Sequence, residues 1–331
     1  MYPREPPEET NSSWILDKRM DPGSAMKQGE LRRTVHRRRS HRRAGLALSR
    51  HTHRHMSSAT PPCRPLSSSG CLTYAASKSW RLFVGCVIAN IVIAIMLRAV
   101  LGSVQTLGEV SGAAKKEDIK QGSLLADILA YNIIAIIYAT YTSYVGVRAW
   151  YGGGAAAVGS SLMHRLYAHS EPMERLCIAT TAYEFYNSLA TVWFPEYRTA
   201  AFIGHHLTTL LLGVLSLHPF LHYYAIFFFG VASTSSIPLC LGEVFNAIGS
   251  VAARDACQAV FAISFLAIRT CYWPYVSAGF WRDSLEALSK RSTHVHSLAA
   301  FSFLLVSNIG LTTLQFVWTG QILTAIASAI G

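Results

Sequence analysis

The chain has 331 residues, of which 51% are hydrophobic and 14% are charged, and its formal net charge is +11. Its seven cysteines show neither a CxxC pair nor metal-ligand spacing, so the sequence excludes a disulfide framework and a zinc site. We expect no metal and no cofactor. These averages combine two different regions, a basic N-terminal segment and an apolar body.

The N-terminal segment, 1–75, is a predicted disordered tail. Residues 31–66 contain ten arginines and five histidines but no lysine and no acidic residue. A segment that is rich in Arg, Ser and Pro and poor in aromatic residues buries too little apolar surface to fold. We therefore predict a disordered domain over 1–75, followed by a membrane domain over 80–325.

Several functions are compatible with this tail. Its composition is typical of organelle transit peptides, but five acidic residues before position 22 argue against a standard one. No cleavable secretory signal is evident, because no apolar stretch follows a charged start. A nucleic-acid-binding arm and a polybasic segment that faces anionic lipid remain open. We favour a solvated tail whose charge fixes the topology, and expect no nucleic-acid partner.

From Trp80 onward, the sequence predicts a membrane protein. A helix needs roughly 20 apolar residues to cross a bilayer. We predict an all-α bundle of six or seven spans, six if the short fourth run or the fifth run, interrupted by Pro238, is re-entrant. The apolar runs lie at 81–104, 124–146, 174–194, 200–217, 220–245, 256–280 and 298–327.

The charges of the loops predict the orientation of this bundle. A cytosolic tail places the connections 147–173 and 281–297 in the cytosol, where the positive-inside rule expects basic residues. The opposite loop also carries three lysines, accompanied by two acidic residues. We predict a cytosolic N-terminus. The basic residues of the two cytosolic connections are Arg148, Arg165, Arg282, Lys290 and Arg291.

Polar residues recur along one face of several spans. Their spacing keeps them on one side of an α-helix, and lipid cannot satisfy them, so these stripes should face the interior. They comprise Thr180, Glu184, Asn187 and Thr191 in the third run; His205, Thr209 and Ser216 in the fourth; Ser233, Ser236, Cys240 and Glu243 in the fifth; and Asn308, Thr312, Gln315 and Thr319 in the last.

Two interpretations of the stripes compete. Ser and Thr alone favour hydrogen bonds between helices, worth about 0.6 kcal/mol each. Two histidines, a glutamate and an arginine at membrane depth favour a polar cavity, which is our prediction. We expect this cavity to be lined by Glu184, Asn187, His205, His206, Thr209, Ser216, Ser233, Ser236, Glu243, Arg269, Asn308 and Gln315.

The adjacent histidines are the candidate catalytic residues if the protein is an enzyme, because an imidazole oriented by a carboxylate serves as a general base. Neighbouring positions on a helix point about 100° apart, so the two rings cannot readily share a metal ion. We expect His205 to face the cavity and His206 to bond to Glu184 or Asn187. Arg269 should pair with a carboxylate or a lipid headgroup.

The order of motifs along the body is similar to that of a known family. Tyr183 precedes the His205-His206 pair, Ser233-Thr234 and Pro238 follow, the next span holds an arginine, and the last runs from Asn308 through Trp318. Over about 80–325, this order resembles the TLC domain. That family is named for translocating-chain-associating membrane protein, the longevity-assurance ceramide synthases and a neuronal lipofuscinosis protein.

Within this family, the ceramide synthases carry a signature that opens HHxxTxxLxxxS. The chain matches this opening at His205, His206, Thr209, Leu212 and Ser216. The match ends there, because the signature continues to a His-Asp pair and a second Asp.

The region that follows the matching residues differs from the ceramide synthases. Residues 232–238 contain no carboxylate and look more like the Ser-Thr-Pro motif of non-synthase TLC-domain proteins. The glutamate that precedes the motif in those proteins is absent. The aspartate that they usually have in the third span corresponds to Glu184 or Asn187. The resemblance therefore favours the non-ceramide-synthase branch.

The resemblance implies a multi-pass protein of the endoplasmic reticulum or another endomembrane. Its expected partners are membrane lipids, either phospholipid or sphingolipid, and its expected role is lipid homeostasis, sensing or trafficking. Two alternatives remain. One is a sphingoid-base N-acyltransferase similar to the ceramide synthases, with acyl-CoA as a further partner. The other is a cargo or translocon-associated membrane chaperone.

Overall fold

The computed structural model describes residues 69–110, 116–153, 159, 161–194, 197–218, 220–289 and 297–330. Most of the predicted tail, 1–75, lies outside the described residues. The division into domains at 75–80 stays a prediction, and the first helix begins at Ser69. No proline follows Pro65 in this part of the chain, so the helix of the first span extends beyond its apolar residues.

The described residues form helices and contain no strand, which confirms the predicted all-α fold. Seven of the eight helices coincide with the seven predicted spans. The helices are α1 (Ser69–Val110), α2 (Lys116–Tyr151), α3 (Leu162–Tyr167), α4 (Glu171–Trp193), α5 (Ala200–Ser216), α6 (His222–Ala247), α7 (Val251–Ser289) and α8 (Leu298–Ile330).

Five of these helices, α1, α2, α6, α7 and α8, are long and apolar enough to cross a membrane. The other two predicted spans are α4, which has 23 residues and carries a polar stripe, and α5, which is apolar but has only 17 residues. The predicted membrane bundle is confirmed, and its helices fit the expected six or seven spans.

α4 and α5 form a helical hairpin that positions the histidines. α5 begins after Thr199, whose side chain accepts a hydrogen bond from the backbone N–H of Phe202. Gly213 lets the two helices approach closely, since a Cβ at this position would lie 2.9 Å from Thr181 Oγ1. The face of α5 that carries Gly213 and His206, which are two turns apart, therefore faces α4.

The remaining helices pack around this hairpin. α1 contacts α2 and α4, α2 contacts α6, α6 contacts α7, and α8 contacts both α7 and α5. The tightest crossing joins α2 to α6, where a Cβ on Gly146 would lie 2.3 Å from Gly230 Cα. Only two glycines can bring the helices this close.

α6 is a continuous helix through Pro238, but its geometry changes just before this residue. Ile226–Gly230 is π-helical and Val231–Ser235 is a 3-10 helix. A proline lacks a backbone N–H and crowds the carbonyl four residues earlier, which disrupts regular α-helical bonding. The N–H of Ser236 bonds to the carbonyl three residues back. The carbonyl of Ala232, four residues back, does not receive this N–H and accepts from the Ser235 hydroxyl over 3.1 Å.

α7 contains a similar irregularity. Leu266–Tyr272 is π-helical, and Pro274 follows it in the next turn. This segment packs against the 3-10 helix of α6. Short π-helical segments often lie at functional sites, and this one carries Arg269.

Candidate functional site

His206 is the centre of a buried hydrogen-bond network between α2, α4 and α5. Its Nδ1 lies 2.7 Å from Glu184 Oε2, so the ring donates this proton to the carboxylate. Asn187 Nδ2 lies 2.9 Å from Nδ1 and 3.2 Å from Nε2 of the same ring, and with the Nδ1 proton directed to Glu184 it donates to Nε2. The hydroxyl of Tyr131 donates to Asn187 Oδ1 over 2.5 Å. His206 thus bonds to both partners that the sequence suggests.

Aromatic side chains close this network off from lipid. The ring of Phe202 lies 4.5 Å from that of His206 and meets it edge-on. The α4 stripe is buried throughout, and Thr180 and Thr191 bond to Tyr138 and to the α4 backbone. The predicted inward direction of this stripe is confirmed. Its surroundings include Phe83, Tyr131, Tyr183, Tyr186, Phe194 and Tyr197.

His205 lies beside this network but does not take part in it. Its ring is 4.9 Å from that of His206 and 5.5 Å from that of Trp318 in α8. Its Nδ1 is buried and has no hydrogen-bond partner among the described residues. Thr209 shares the face of His205, but its hydroxyl donates to the His205 carbonyl rather than to the ring.

The stripe of α8 divides into two kinds of residue. Asn308 accepts from Trp281 Nε1 over 3.1 Å and donates to Ser277 Oγ over 3.2 Å, so α7 satisfies it. Gln315 is 1% exposed, and neither atom of its amide has a hydrogen-bond partner among the described residues. Asn308 thus links α8 to α7 by hydrogen bonds, whereas the amide of Gln315 makes no hydrogen bond to a described residue.

Arg269 binds the irregular turn of α6. Its Nε donates to Ser235 Oγ over 2.8 Å, and its Nη2 donates to Ser236 Oγ over 3.0 Å and to the Ala232 carbonyl over 3.1 Å. This carbonyl lies in the 3-10 segment that precedes Pro238. The arginine thereby links the irregular segments of α6 and α7.

The prediction that Arg269 pairs with a carboxylate is wrong for the described residues. The hydrogen bonds of Arg269 go only to the hydroxyl oxygens of Ser235 and Ser236 and to the carbonyl oxygen of Ala232. Neutral acceptors solvate a guanidinium but do not cancel its charge. A charged arginine at the centre of a bilayer costs at least ~2.5 kcal/mol. The expectation of a lipid headgroup as its partner stays a prediction.

The other predicted lining residues have separate roles. Ser216 is buried, and Ser233 is buried and donates to the Phe229 carbonyl of its own helix. Glu243 is half-buried near the end of α6 and forms no ion pair with another described residue. We call six of the predicted lining residues the interior site: His205, His206, Glu184, Asn187, Arg269 and Gln315.

Sequence reasoning missed several residues of the site. Tyr131 and Trp318 look like ordinary core aromatics, and nothing in their spacing links them to a histidine. Ser235 lies between positions of the α6 stripe, because the stripe assumes regular helix geometry and the 3-10 turn rotates Ser235 toward Arg269. The proline at 238 was a signal for this irregularity.

A second polar cluster lies at the opposite end of the helices. Asp283 of α7 is fully buried and accepts from Arg165 of α3 through both carboxylate oxygens, and from the hydroxyl of Tyr224. Arg165 Nη1 also donates to the Gly159 carbonyl over 3.0 Å. The ion pair with Asp283 raises the pKa of Arg165. We call Arg165, Asp283 and Tyr224 the clamp, because they join α3 and α6 to α7.

The comparison with known families agrees with this architecture. The model of the TLC domain matches residues 128–324, which is more than half of the chain. The chain belongs to the TLC-domain family. The match covers every residue of the interior site and of the clamp, whereas α1 lies outside it. No curated protein matches the chain significantly.

The chemistry available to this TLC domain follows from its donors and acceptors. The described residues contain no group of three His, Cys, Asp or Glu side chains that could hold a metal ion. The His206–Glu184 pair is an imidazole oriented by a carboxylate, which is the arrangement of a general base. His205, Gln315 and Arg269 supply groups that can still bind a polar ligand.

Proposed function

We propose that this TLC-domain protein binds membrane lipids and regulates their level or distribution through a polar-lined cavity at the interior site. The observation that carries the proposal is the unpartnered state of His205 Nδ1 and of the Gln315 amide. Nearly all buried polar groups in folded proteins are hydrogen-bonded, so these atoms are the natural contacts for the polar part of a ligand.

The energies favour a ligand over a purely structural role. A buried polar group without a partner costs about 1–3 kcal/mol, and the interior site contains three such atoms in two side chains. Around them, His206, Asn187 and Asn308 are fully engaged. Asn90, Thr181 and Ser284 each have one buried atom without a partner among the described residues, whereas Gln315 lacks a partner for both atoms of its amide.

A second candidate function is supported by the His206–Glu184 pair. A sphingoid-base N-acyltransferase needs a base to deprotonate the amine before it attacks the acyl thioester of acyl-CoA. Glu184 supplies the carboxylate that residues 232–238 lack. We rank this function second, because Arg269 occupies the α6 turn, and Nε2 of His206 is engaged by Asn187.

One experiment separates the two functions. The protein is purified in detergent, its co-purified lipids are identified by mass spectrometry, and it is assayed with a long-chain base and acyl-CoA. We expect a retained lipid and no turnover. Turnover that disappears in a His205→Ala, His206→Ala double variant would establish the transferase instead.

We propose an endomembrane location, in the endoplasmic reticulum or a related compartment, with the N-terminus in the cytosol. The clamp supports this orientation, because it places Arg165 and the Arg282 end of α7 on one side of the bundle, as the positive-inside rule requires. Glycosylation-acceptor mapping tests the topology. A glycosylated acceptor within 1–68 would contradict a cytosolic N-terminus.

A further inference from the structure

Arg269 and His205 are connected through aromatic rings. The guanidinium of Arg269 lies 5.7 Å above the ring of Phe265. That ring is 6.5 Å from the ring of Trp318, which in turn is 5.5 Å from the ring of His205. The arginine and the histidine therefore border one aromatic surface formed by α7 and α8.

Gln315 belongs to the same surface. Trp318 and Thr319 follow it by one turn of α8 and so lie on its face of the helix. Thr319 bonds to Thr270, the neighbour of Arg269, over 2.7 Å. Two unpartnered polar side chains and one cation thus surround the rings of Phe265 and Trp318.

The charges within this group are unbalanced. Arg269 donates only to neutral oxygens. The acid of the interior site, Glu184, is bonded to His206 and forms no ion pair with Arg269. No described carboxylate lies within ion-pair distance of the guanidinium. The clamp shows the contrast, since its buried carboxylate meets an arginine directly.

We propose that the interior site selects lipids that carry a negative charge, a phosphate or a carboxylate, and that this charge binds Arg269. The inference rests on the proposed lipid-binding function and narrows its substrate class. Nε and Nη2 of the guanidinium are engaged by Ser235, Ser236 and Ala232, whereas Nη1 makes no hydrogen bond to a described residue. A guanidinium is weakly hydrated and forms charge-assisted hydrogen bonds, so it binds these anions well when buried. The uncharged polar part of the lipid bonds to His205 and Gln315, and its chain packs on Trp318 and Phe265.

The first test needs no variant of the protein. The purified protein, in non-ionic detergent, is titrated with a brominated phosphatidylcholine that quenches tryptophan fluorescence by contact. Dioleoylphosphatidate, oleate and unbrominated dioleoylphosphatidylcholine are then added as competitors. We expect at least one anionic lipid to compete at a concentration about tenfold lower than phosphatidylcholine. The stronger of the two anions tells whether the site prefers phosphate or carboxylate.

Three variants assign the preference to Arg269. Arg269→Gln keeps hydrogen-bond donors but loses the charge, and should abolish the roughly tenfold preference. Arg269→Lys keeps the charge and should retain most of it. The matched control is Arg254→Gln, which removes a charge from the same helix at an exposed pair with Asp255 and should change nothing.

The outcomes distinguish this inference from the proposed function. Equal competition by charged and zwitterionic lipids would overturn the selectivity for anions and leave lipid binding intact. Absence of quenching by any lipid would overturn both proposals. If Arg269→Gln does not fold, the comparison of headgroups on the unchanged protein decides the question alone.

Discussion

The clamp and the interior site use similar side chains in opposite ways. In the clamp, the buried carboxylate of Asp283 receives bonds from Arg165 and Tyr224. In the interior site, Arg269 has no acid partner among the described residues, and two neighbouring side chains have unpaired atoms. The protein itself satisfies the ion pair of the clamp, whereas it leaves hydrogen-bonding atoms of the interior site without a partner.

This contrast gives a criterion that separates structural from functional polar residues inside a membrane bundle. A buried arginine or asparagine alone does not separate structural from functional residues, because both clusters contain such groups. What separates them is whether the hydrogen-bonding capacity is used up. Saturated groups hold helices together, whereas groups with spare capacity point to a ligand.

The largest expected effect is the loss of the clamp. Asp283→Ala leaves the guanidinium of Arg165 without its carboxylate, and Tyr224 without its acceptor. Breaking a buried ion pair costs about 3–5 kcal/mol, and we expect about 3 kcal/mol because Arg165 is 21% exposed. Thermal unfolding in detergent should show a clearly lower midpoint.

The matched control for the clamp is Asp255→Ala. Its pair with Arg254 is exposed, so its removal should change the free energy of unfolding by less than ~0.5 kcal/mol. A midpoint that is as low in this control as in Asp283→Ala would show that loss of charge, rather than loss of the clamp, destabilises the protein.

Replacement of His205 and replacement of His206 should affect different properties of the protein. His206→Ala leaves the buried Glu184 carboxylate and the Asn187 amide without a partner, at a cost of about 2 kcal/mol in folding free energy. His205→Ala removes a ring whose Nδ1 is unpaired, so it should cost lipid retention rather than stability. Unfolding midpoints and co-purified lipid, measured on both variants, check this. Equal losses in both properties would show that the pair is only structural.

A smaller effect is expected at the crossing of α2 and α6. Gly146→Ala places a methyl group against the Gly230 backbone and should destabilise the bundle by about 1–3 kcal/mol. Gly85→Ala on α1 is the control, since nothing lies within 4 Å of its added Cβ. A Gly146→Ala protein as stable as the control would contradict the close approach of these helices.

The sequence predicted the helices and one part of the site well. The polar stripes turn inward because lipid cannot satisfy them, and this constraint acts locally on each helix. The His206 contact was also within reach, because a hairpin of two consecutive helices brings their facing residues together, and His206 lies about 100° around α5 from the stripe of His205. Both inferences needed only helix periodicity and neighbouring segments of the chain.

The remainder depends on contacts that periodicity does not encode. Arg269 was expected to pair with a carboxylate or a lipid headgroup, because the expectation considered its charge and not the serines and the carbonyl of the 3-10 segment in another helix. Arg165 was treated as a loop charge, although Asp283, distant in sequence, binds it. Trp318 reaches His205 only through the packing of α8 on α5.

The smallest change in stability is expected on α8. It tests the contrast between the interior site and the clamp most directly. Gln315→Leu replaces an amide with two unpaired atoms by an apolar side chain of similar size, so stability should stay the same or rise. Asn308→Leu, two turns earlier, removes bonds to Trp281 and Ser277 and should cost about 1–2 kcal/mol. Lipid retention should fall only in Gln315→Leu. A destabilised Gln315→Leu with unchanged lipid would mean that the amide has a structural partner, and the interior site would then be saturated like the clamp.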